Sequence, residues 1–158
     1  MRVGIGFDVH PFETETPLYL GGIKFNTDFG LKGHSDADVL IHALIDALLG
    51  AMGKGDIGEL FPDSDPNYKN IRSSKLLDTV VDMMFNNNYK LINADLIILA
   101  EKPKIKDAKN KIEQNLSKLL KVNKTQINLK ATTTEGLGFI GRVEGIGAQA
   151  VVLLSKDK

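Results

Sequence analysis

Arg2-Val3-Gly4-Ile5-Gly6-Phe7-Asp8-Val9-His10 opens the chain, and its reading decides the fold. The stretch has the length and the Val/Ile/Phe content of a β-strand. Val3, Ile5, Phe7 and Val9 predict a buried strand, an environment in which an unpaired carboxylate and imidazole are costly. Asp8 and His10 stand two apart, so their side chains leave one face with their tips close enough to share a cation. The same D-x-H pattern also describes two polar residues on a solvated strand face, and both readings stand at this point.

Outward from this strand, Leu18 to Phe25 offers a short partner interrupted by Gly21-Gly22, and a loop is expected from Asn26 to His34. From Asp36 to about Met52, Val39, Leu40, Ala43, Leu44, Ala47 and Leu48 recur at helical spacing. Ser35 reads as the N-cap, with Asp38 completing a capping-box pattern. Gly53, Gly55, Gly58, Pro62 and Pro66 then predict a loop long enough for a binding or lid role. A second helix is predicted over Ser73 to Phe85, ended by Asn86-Asn87-Asn88. Lys90 to Ala100 reads as a strand whose run Leu96-Ile97-Ile98-Leu99-Ala100 predicts burial on both faces. A third helix is expected over Ile105 to Leu120, then strands at Ile127 to Thr133 and Gly147 to Leu154. This order predicts an α+β fold in one domain, 1–158, with a mixed sheet and helices layered on one face.

The chain has 158 residues, 42% of them hydrophobic, enough for one buried core. Twenty basic and twenty acidic residues cancel, with no basic cluster interleaved with aromatics, so no nucleic-acid partner is expected. The absence of cysteine excludes disulfides, thiolate metal sites and cysteine nucleophiles, leaving nitrogen and oxygen as metal donors. No apolar run approaches membrane-spanning length, and a soluble cytoplasmic protein is expected, or one in a plastid-type organelle if a transit peptide was removed.

His42 lies on the helical stripe Asp38, His42, Asp46. The stripe is either an exposed polar face or a third donor for the Asp8/His10 pair, giving the two-nitrogen, one-oxygen set that leaves a fourth zinc position for substrate. In the second case Asp46 is a candidate acceptor for the free N–H of His42. His34-Ser35 at the expected helix start suits an anion, or Ser35 simply caps the helix. The run Lys130 to Phe139 ends a strand in hydroxyls, Glu135 and glycines, able to hold phosphate oxygens and a hard cation, or to form a Thr-rich edge and a turn. Lys104, after Pro103, is either a further phosphate contact or a surface lysine opening a helix.

Gly6-Phe7-Asp8-Val9-His10, Gly33 through Asp38 with His42 and Asp46, Gly55-Asp56-Ile57-Gly58 with Leu60 through Asp63, Lys102-Pro103-Lys104, and Lys130 through Glu135 with Gly141 through Gly145 together resemble the 2-C-methyl-D-erythritol 2,4-cyclodiphosphate synthase family along essentially the whole chain. The resemblance implies closure of a cyclic diphosphate in the non-mevalonate isoprenoid pathway. In that reaction the 2-phosphate of 4-diphosphocytidyl-2-C-methyl-D-erythritol 2-phosphate attacks the β-phosphate and CMP leaves. It implies Zn²⁺ on Asp8, His10 and His42, and a second divalent cation, Mg²⁺ or Mn²⁺, on Glu135. His34 and Thr133 correspond to transition-state stabilisers, and Ser35 to a phosphate contact. Asp56, Gly58, Phe61, Asp63 and Asp65 correspond to ribose and methylerythritol contacts. Ala100, Pro103, Lys104 and Lys106 correspond to the cytidine side, with Thr132, Thr134 and Glu135 near the diphosphate. Phe139 and Arg142, with Phe7 and Glu144, match a region on a threefold axis proposed to hold an isoprenoid diphosphate. The resemblance further implies a homotrimer with active sites between subunits.

Two positions depart from that pattern. Lys106 stands where an apolar residue is expected, and Val143 where glycine is common. A zinc-dependent phosphohydrolase and a non-enzymatic trimeric sensor of nucleotide or isoprenoid diphosphates are the competing readings, and they differ from the synthase in their products or in lacking turnover.

Overall fold

In the computed structural model, which describes residues 1–156, the chain runs β1 (Arg2–Thr14), β2 (Leu18–Leu20), β3 (Ile23–Phe25), β4 (Phe29–Leu31), α1 (Val39–Met52), α2 (Ile57–Leu60), α3 (Ser73–Asn86), β5 (Tyr89–Leu99), α4 (Lys109–Leu119), β6 (Ile127–Thr132), α5 (Gly138–Gly141) and β7 (Gly145–Lys156). The main sheet has the order β4-β1-β7-β5-β6. β1 pairs antiparallel with β7, Arg2 opposite Leu154 and His10 opposite Ile146. β5 and β6 are parallel, which requires the crossover that α4 supplies. The expected mixed sheet with one helical layer is therefore present, with α1 against β1 and β7.

Three local expectations are corrected. Leu18 to Phe25 does not pair with β1; β2 and β3 form their own hairpin around Gly21-Gly22, whose φ of 60° and 77° suit the turn. The neighbour of β1 is instead β4, inside the expected loop. The Gly53 to Pro66 stretch also contains order: Asp56 caps α2, and Asp65 caps a short 3₁₀ turn over Pro66–Tyr68.

The third correction concerns burial. Val3, Ile5 and Phe7 are 68%, 64% and 56% exposed, because strand alternation sends them to the face without helices. The inner face of β1 carries Gly4, Gly6, Asp8 and His10. Likewise in β5 only the alternate residues Ala94, Leu96 and Ile98 are fully buried, while Ile97 and Leu99 are half-buried on the outer face.

The small inner residues have a direct consequence for α1. A Cβ on Gly4 would lie 1.9 Å from the Ala47 carbonyl oxygen, and one on Gly6 would lie 1.9 Å from that of Ala43. Helix and strand thus touch backbone to backbone. Ala148 and Ala150 of β7 lie buried under the same helix. Apart from His42, Asp46 and Gly50, every residue of α1 is buried, as expected of a helix that is apolar nearly all round.

α1 starts later than the Ser35 capping pattern predicts. Its N-cap is Asp38, fully buried, whose carboxylate accepts the Ile41 N–H at 3.1 Å and those of Gly21 and Gly22 at 2.9 and 2.6 Å. Burial pushes this carboxyl up, against the three N–H donors. One side chain therefore caps the helix and anchors the hairpin, which Ser35 could not do. Among the described residues no helix is long and apolar enough to cross a membrane.

Gly6→Ala is expected to lift α1 from β1, costing about 3 kcal/mol, or roughly 6–12 °C in Tm. Calorimetry with a zinc titration checks this, because displacing the helix also moves His42; a variant with unchanged Tm and unchanged zinc affinity would contradict it.

Candidate metal centre

Asp8 and His10 follow Gly4 and Gly6 on the inner face of β1, and His42 sits on the first full turn of α1. Asp8 Oδ2 lies 2.9 Å from His10 Nε2 and 3.0 Å from His42 Nδ1, and the two nitrogens are 3.1 Å apart. The other Asp8 oxygen accepts the Val9 N–H at 2.8 Å. His10 Nδ1 donates to the Lys32 carbonyl at 2.7 Å, and since a carbonyl only accepts, His10 Nε2 is left to present its lone pair to the cluster. Three donor atoms thus converge with the set and spacing of a cation site, as in a tetrahedral ion with ligands at about 2.0–2.1 Å and about 3.3 Å between them. The residues present fit a zinc-type ion, and this group is the one cluster of three or more potential ligands among the described residues.

Without a metal, a proton takes the place of the cation. Burial opposes the charge on Asp8, yet the hydrogen bonds from His10 and His42 outweigh it and hold the carboxyl well below the usual range. Burial likewise opposes a proton on His10, but the Asp8 carboxylate outweighs it and the imidazole is raised above 6.5.

Asp46 is not the acceptor for His42. Its Oδ1 takes the Ile57 N–H at 2.8 Å and so ties α2 to α1. His42 Nε2 instead faces Ser73 Oγ at 2.9 Å and Ser35 Oγ at 3.1 Å. Ser73 is fully buried at the start of α3 and its hydroxyl donates to Asp36. The sequence marked Ser73 only as a helix start, and the spacing of more than thirty residues hides its contact with His42.

The centre opens into a cavity of about 510 Å³ lined by Asp8, His10, His34, Ser35, His42, Gly58, Phe61 and Asp63, with Lys32, Tyr68 and Leu76 among the others. Gly58, Phe61, Pro62 and Asp63 form one wall, with Phe61 edge-on against Tyr68 at 5.3 Å; Asp65 lies outside the lining, its carbonyl 3.4 Å from His34 Nε2. Asp56 lies outside the lining and serves as the α2 cap.

A second cavity, of about 370 Å³, is lined by Ala100, Pro103, Lys104, Lys106, Thr132 and Thr133, with Ile105, Lys109 and Ala131. It shares no lining residue with the first. Thr133 Oγ1 donates to Glu135 Oε1 at 3.0 Å, and Glu101 accepts the N–H groups of Thr134 and Gly136 at 3.1 and 3.3 Å. Glu101 escaped the sequence reading, since a lone carboxylate at a strand end carries no pattern. Phe139 and Arg142 line neither cavity; Arg142 pairs with Glu144 at 2.7 Å on the surface beside Val143, which adopts φ 59°. One chain therefore brings together His34, Ser35 and the metal ligands, and separately the Ala100 to Lys106 and Thr132 to Thr133 segments.

Metal removal and pH act together on this centre. The raised His10 value means that its stabilisation is complete below about 6.5 and is lost as pH rises through the higher folded value. Asp8 works the other way, its contribution being lost as pH falls below 3.8 toward its depressed value. Chelator-stripped protein is thus expected to lose Tm as pH rises above about 6.5, whereas zinc affinity rises in the same direction because bound ligands must shed their protons. Parallel trends in stripped and zinc-loaded samples would contradict this arrangement.

The model of the YgbB family matches residues 1–155. The 2-C-methyl-D-erythritol 2,4-cyclodiphosphate synthase of Halothermothrix orenii is 55% identical over 158 residues, covering 100% of this chain and 96% of that one. The bifunctional IspDF of Campylobacter jejuni superposes with a TM-score of 0.95 at 46% identity over 99% of this chain, which spans 42% of that longer protein. A CDP complex of IspF from Plasmodium falciparum superposes with a TM-score of 0.87 at 34% identity, over 99% of this chain and 97% of that one. Matched from end to end in sequence and fold, the chain belongs to the YgbB family, the family of the 2-C-methyl-D-erythritol 2,4-cyclodiphosphate synthases.

Proposed function

We infer that the chain is a cyclodiphosphate synthase of the non-mevalonate pathway, converting 4-diphosphocytidyl-2-C-methyl-D-erythritol 2-phosphate to 2-C-methyl-D-erythritol 2,4-cyclodiphosphate and CMP. The activity rests on the full-length relatives that carry it. The observation that carries the site is the convergence of Asp8, His10 and His42 at the end of a cavity large enough for a phosphorylated polyol. A 2-phosphate oxygen attacks the β-phosphorus; one P–O bond forms while the bond to the bridging oxygen breaks, and CMP departs with that electron pair. No protein nucleophile is needed, so positioning and charge neutralisation supply the rate.

Zinc held by Asp8, His10 and His42 would polarise a phosphate oxygen at its open position. His34 and Ser35, on the same cavity, are suited to hold the phosphate that faces the metal. Gly58, Phe61 and Asp63 wall in the erythritol, with Asp65 beside His34 and Asp56 setting the start of α2. On the other cavity the backbone from Ala100 to Lys106 fits a cytosine edge, with Pro103 shaping it and Lys104 offering a charge to the diphosphate. Thr132 and Thr133 line that cavity, and Thr134 beside them holds the turn through its bonds to Glu101 and the Leu137 carbonyl. Glu135 fits a second divalent ion, Mg²⁺ or Mn²⁺, between the phosphates, with Thr133 as its hydrogen-bonded neighbour.

The same reading accounts for two cavities on one chain. A homotrimer in which the metal-side cavity of one subunit meets the nucleotide-side cavity of the next gives each substrate both halves. The outer sheet face, where Ile5 lies opposite Val151, then becomes the contact surface, which explains the exposed Val3, Ile5 and Phe7. Ile140 packs against Gly147 of β7, and its neighbours Phe139 and Arg142 are suited to an axial role in such a trimer.

³¹P NMR of the purified protein with substrate, Zn²⁺ and Mg²⁺ is expected to show cyclic diphosphate and CMP, with His42→Ala losing at least about 100-fold in rate. Linear phosphate products would replace the synthase reading with hydrolysis, and binding without turnover would replace it with a sensor. Light scattering is expected to give a trimer for the wild type. Ile5→Glu is expected to yield a monomer that keeps its zinc but not its turnover; an active monomer would refute the shared site.

A further inference from the structure

We propose that Ser73 and Asp36 are positioning residues for the metal centre, fixing the protonation pattern of the His42 ring so that its Nδ1 lone pair faces the ion. This rests on reading Asp8, His10 and His42 as the metal site.

The argument follows one proton along a buried chain. Arg72 Nε donates to Asp36 Oδ2 at 2.7 Å, and the guanidinium lies 3.8 Å over the ring of Tyr19. The other oxygen of Asp36 takes the Ser73 N–H at 3.1 Å and also faces the Ser73 hydroxyl. A carboxylate paired with a guanidinium only accepts, so the single Ser73 hydroxyl proton is committed to Asp36. Ser73 Oγ then has only lone pairs for its other neighbours, His42 Nε2 at 2.9 Å and Ser35 Oγ at 3.3 Å, which favours the ring proton on Nε2. The lone pair falls to Nδ1, which points at Asp8 Oδ2 and His10 Nε2. Ser73 and the Asp36 side chain are buried, so water does not supply a competing partner.

Ser35 occupies a different role despite also lying 3.1 Å from His42 Nε2. Its oxygen accepts the Ala37 N–H at 3.2 Å, and it lines the cavity, whereas Ser73 does not. Ser35 Oγ also lies 3.3 Å from Ser73 Oγ, but of the two serines only Ser35 faces the cavity, so its hydroxyl can turn to a ligand there. The two serines therefore divide the work: Ser73 orients the metal ligand and Ser35 faces substrate.

The test uses full-length wild type, Ser73→Ala, Asp36→Asn and Ser35→Ala, with Zn²⁺ alone as probe in chelator competition. Asp36→Asn is nearly isosteric; its amide can turn an N–H toward Ser73, freeing the serine proton to donate to His42 Nε2 and favour the wrong tautomer. Ser73→Ala and Asp36→Asn are expected to bind zinc about 10–100-fold more weakly than wild type, the usual effect of losing such a partner. Ser35→Ala is expected to stay within about 3-fold. In the zinc-loaded proteins, ¹H–¹⁵N spectra are expected to show a His42 Nε2–H that exchanges slowly in wild type, held by Ser73 and Asp36, and faster in Asp36→Asn. Wild-type affinity in both relay variants, or unchanged Nε2–H exchange in Asp36→Asn, would overturn the proposal while leaving the metal centre intact. Failure of the wild type itself to bind zinc would overturn both.

Discussion

The backbone contact between α1 and β1 is the constraint on which the rest of this structure depends. An ordinary helix packs on a sheet across a layer of side chains. Here Gly4 and Gly6 remove that layer, and the carbonyls of Ala43 and Ala47 fill the space where Cβ atoms would stand. At such close range an imidazole on the first turn of the helix meets two side chains from the strand within 3.1 Å. The helix is then covered on its remaining sides by α3, α2 and the hairpin that Asp38 anchors, so the ligand geometry is held by the whole helical layer rather than by a loop.

Much of this was legible in the sequence because it follows from period and residue type. The stripe of α1, the amphipathic α3 and the D-x-H spacing each state their structure locally, and His10 and His42 are two of only three histidines. Burial of β1 was misread for a physical reason: apolar alternation marks a covered face, but not whether the chain's own helices or something else covers it. Val3, Ile5 and Phe7 are as apolar as core residues and yet face outward. The helix start was misread because Ser35 and Asp38 both suit an N-cap, and the choice depends on hairpin amides seventeen residues upstream.

The contacts that sequence could not reveal are long-range and polar. Asp46 has the right helical spacing to support His42 yet serves α2, while the partner of His42 comes from α3. Glu101 braces the Thr134 to Gly136 turn from the end of β5. Such pairings depend on which elements lie side by side, which periodicity within one element does not encode. The separation of the two cavities belongs to the same class, being a property of the sheet's width rather than of any motif.

The two histidines of the centre are anchored by different kinds of chemistry, and this sets how freely the surrounding sequence can drift. His10 leans on the main-chain oxygen of Lys32, an atom that every amino acid supplies. Substitution at position 32 is therefore silent for the orientation of that ring, so long as the backbone path is kept, and its side chain is open to selection for other purposes. His42 leans on side chains, whose identity can be lost in a single codon change. Mutational tolerance around the metal centre is thus lopsided, wide along the strand-side loop and narrow at the start of α3.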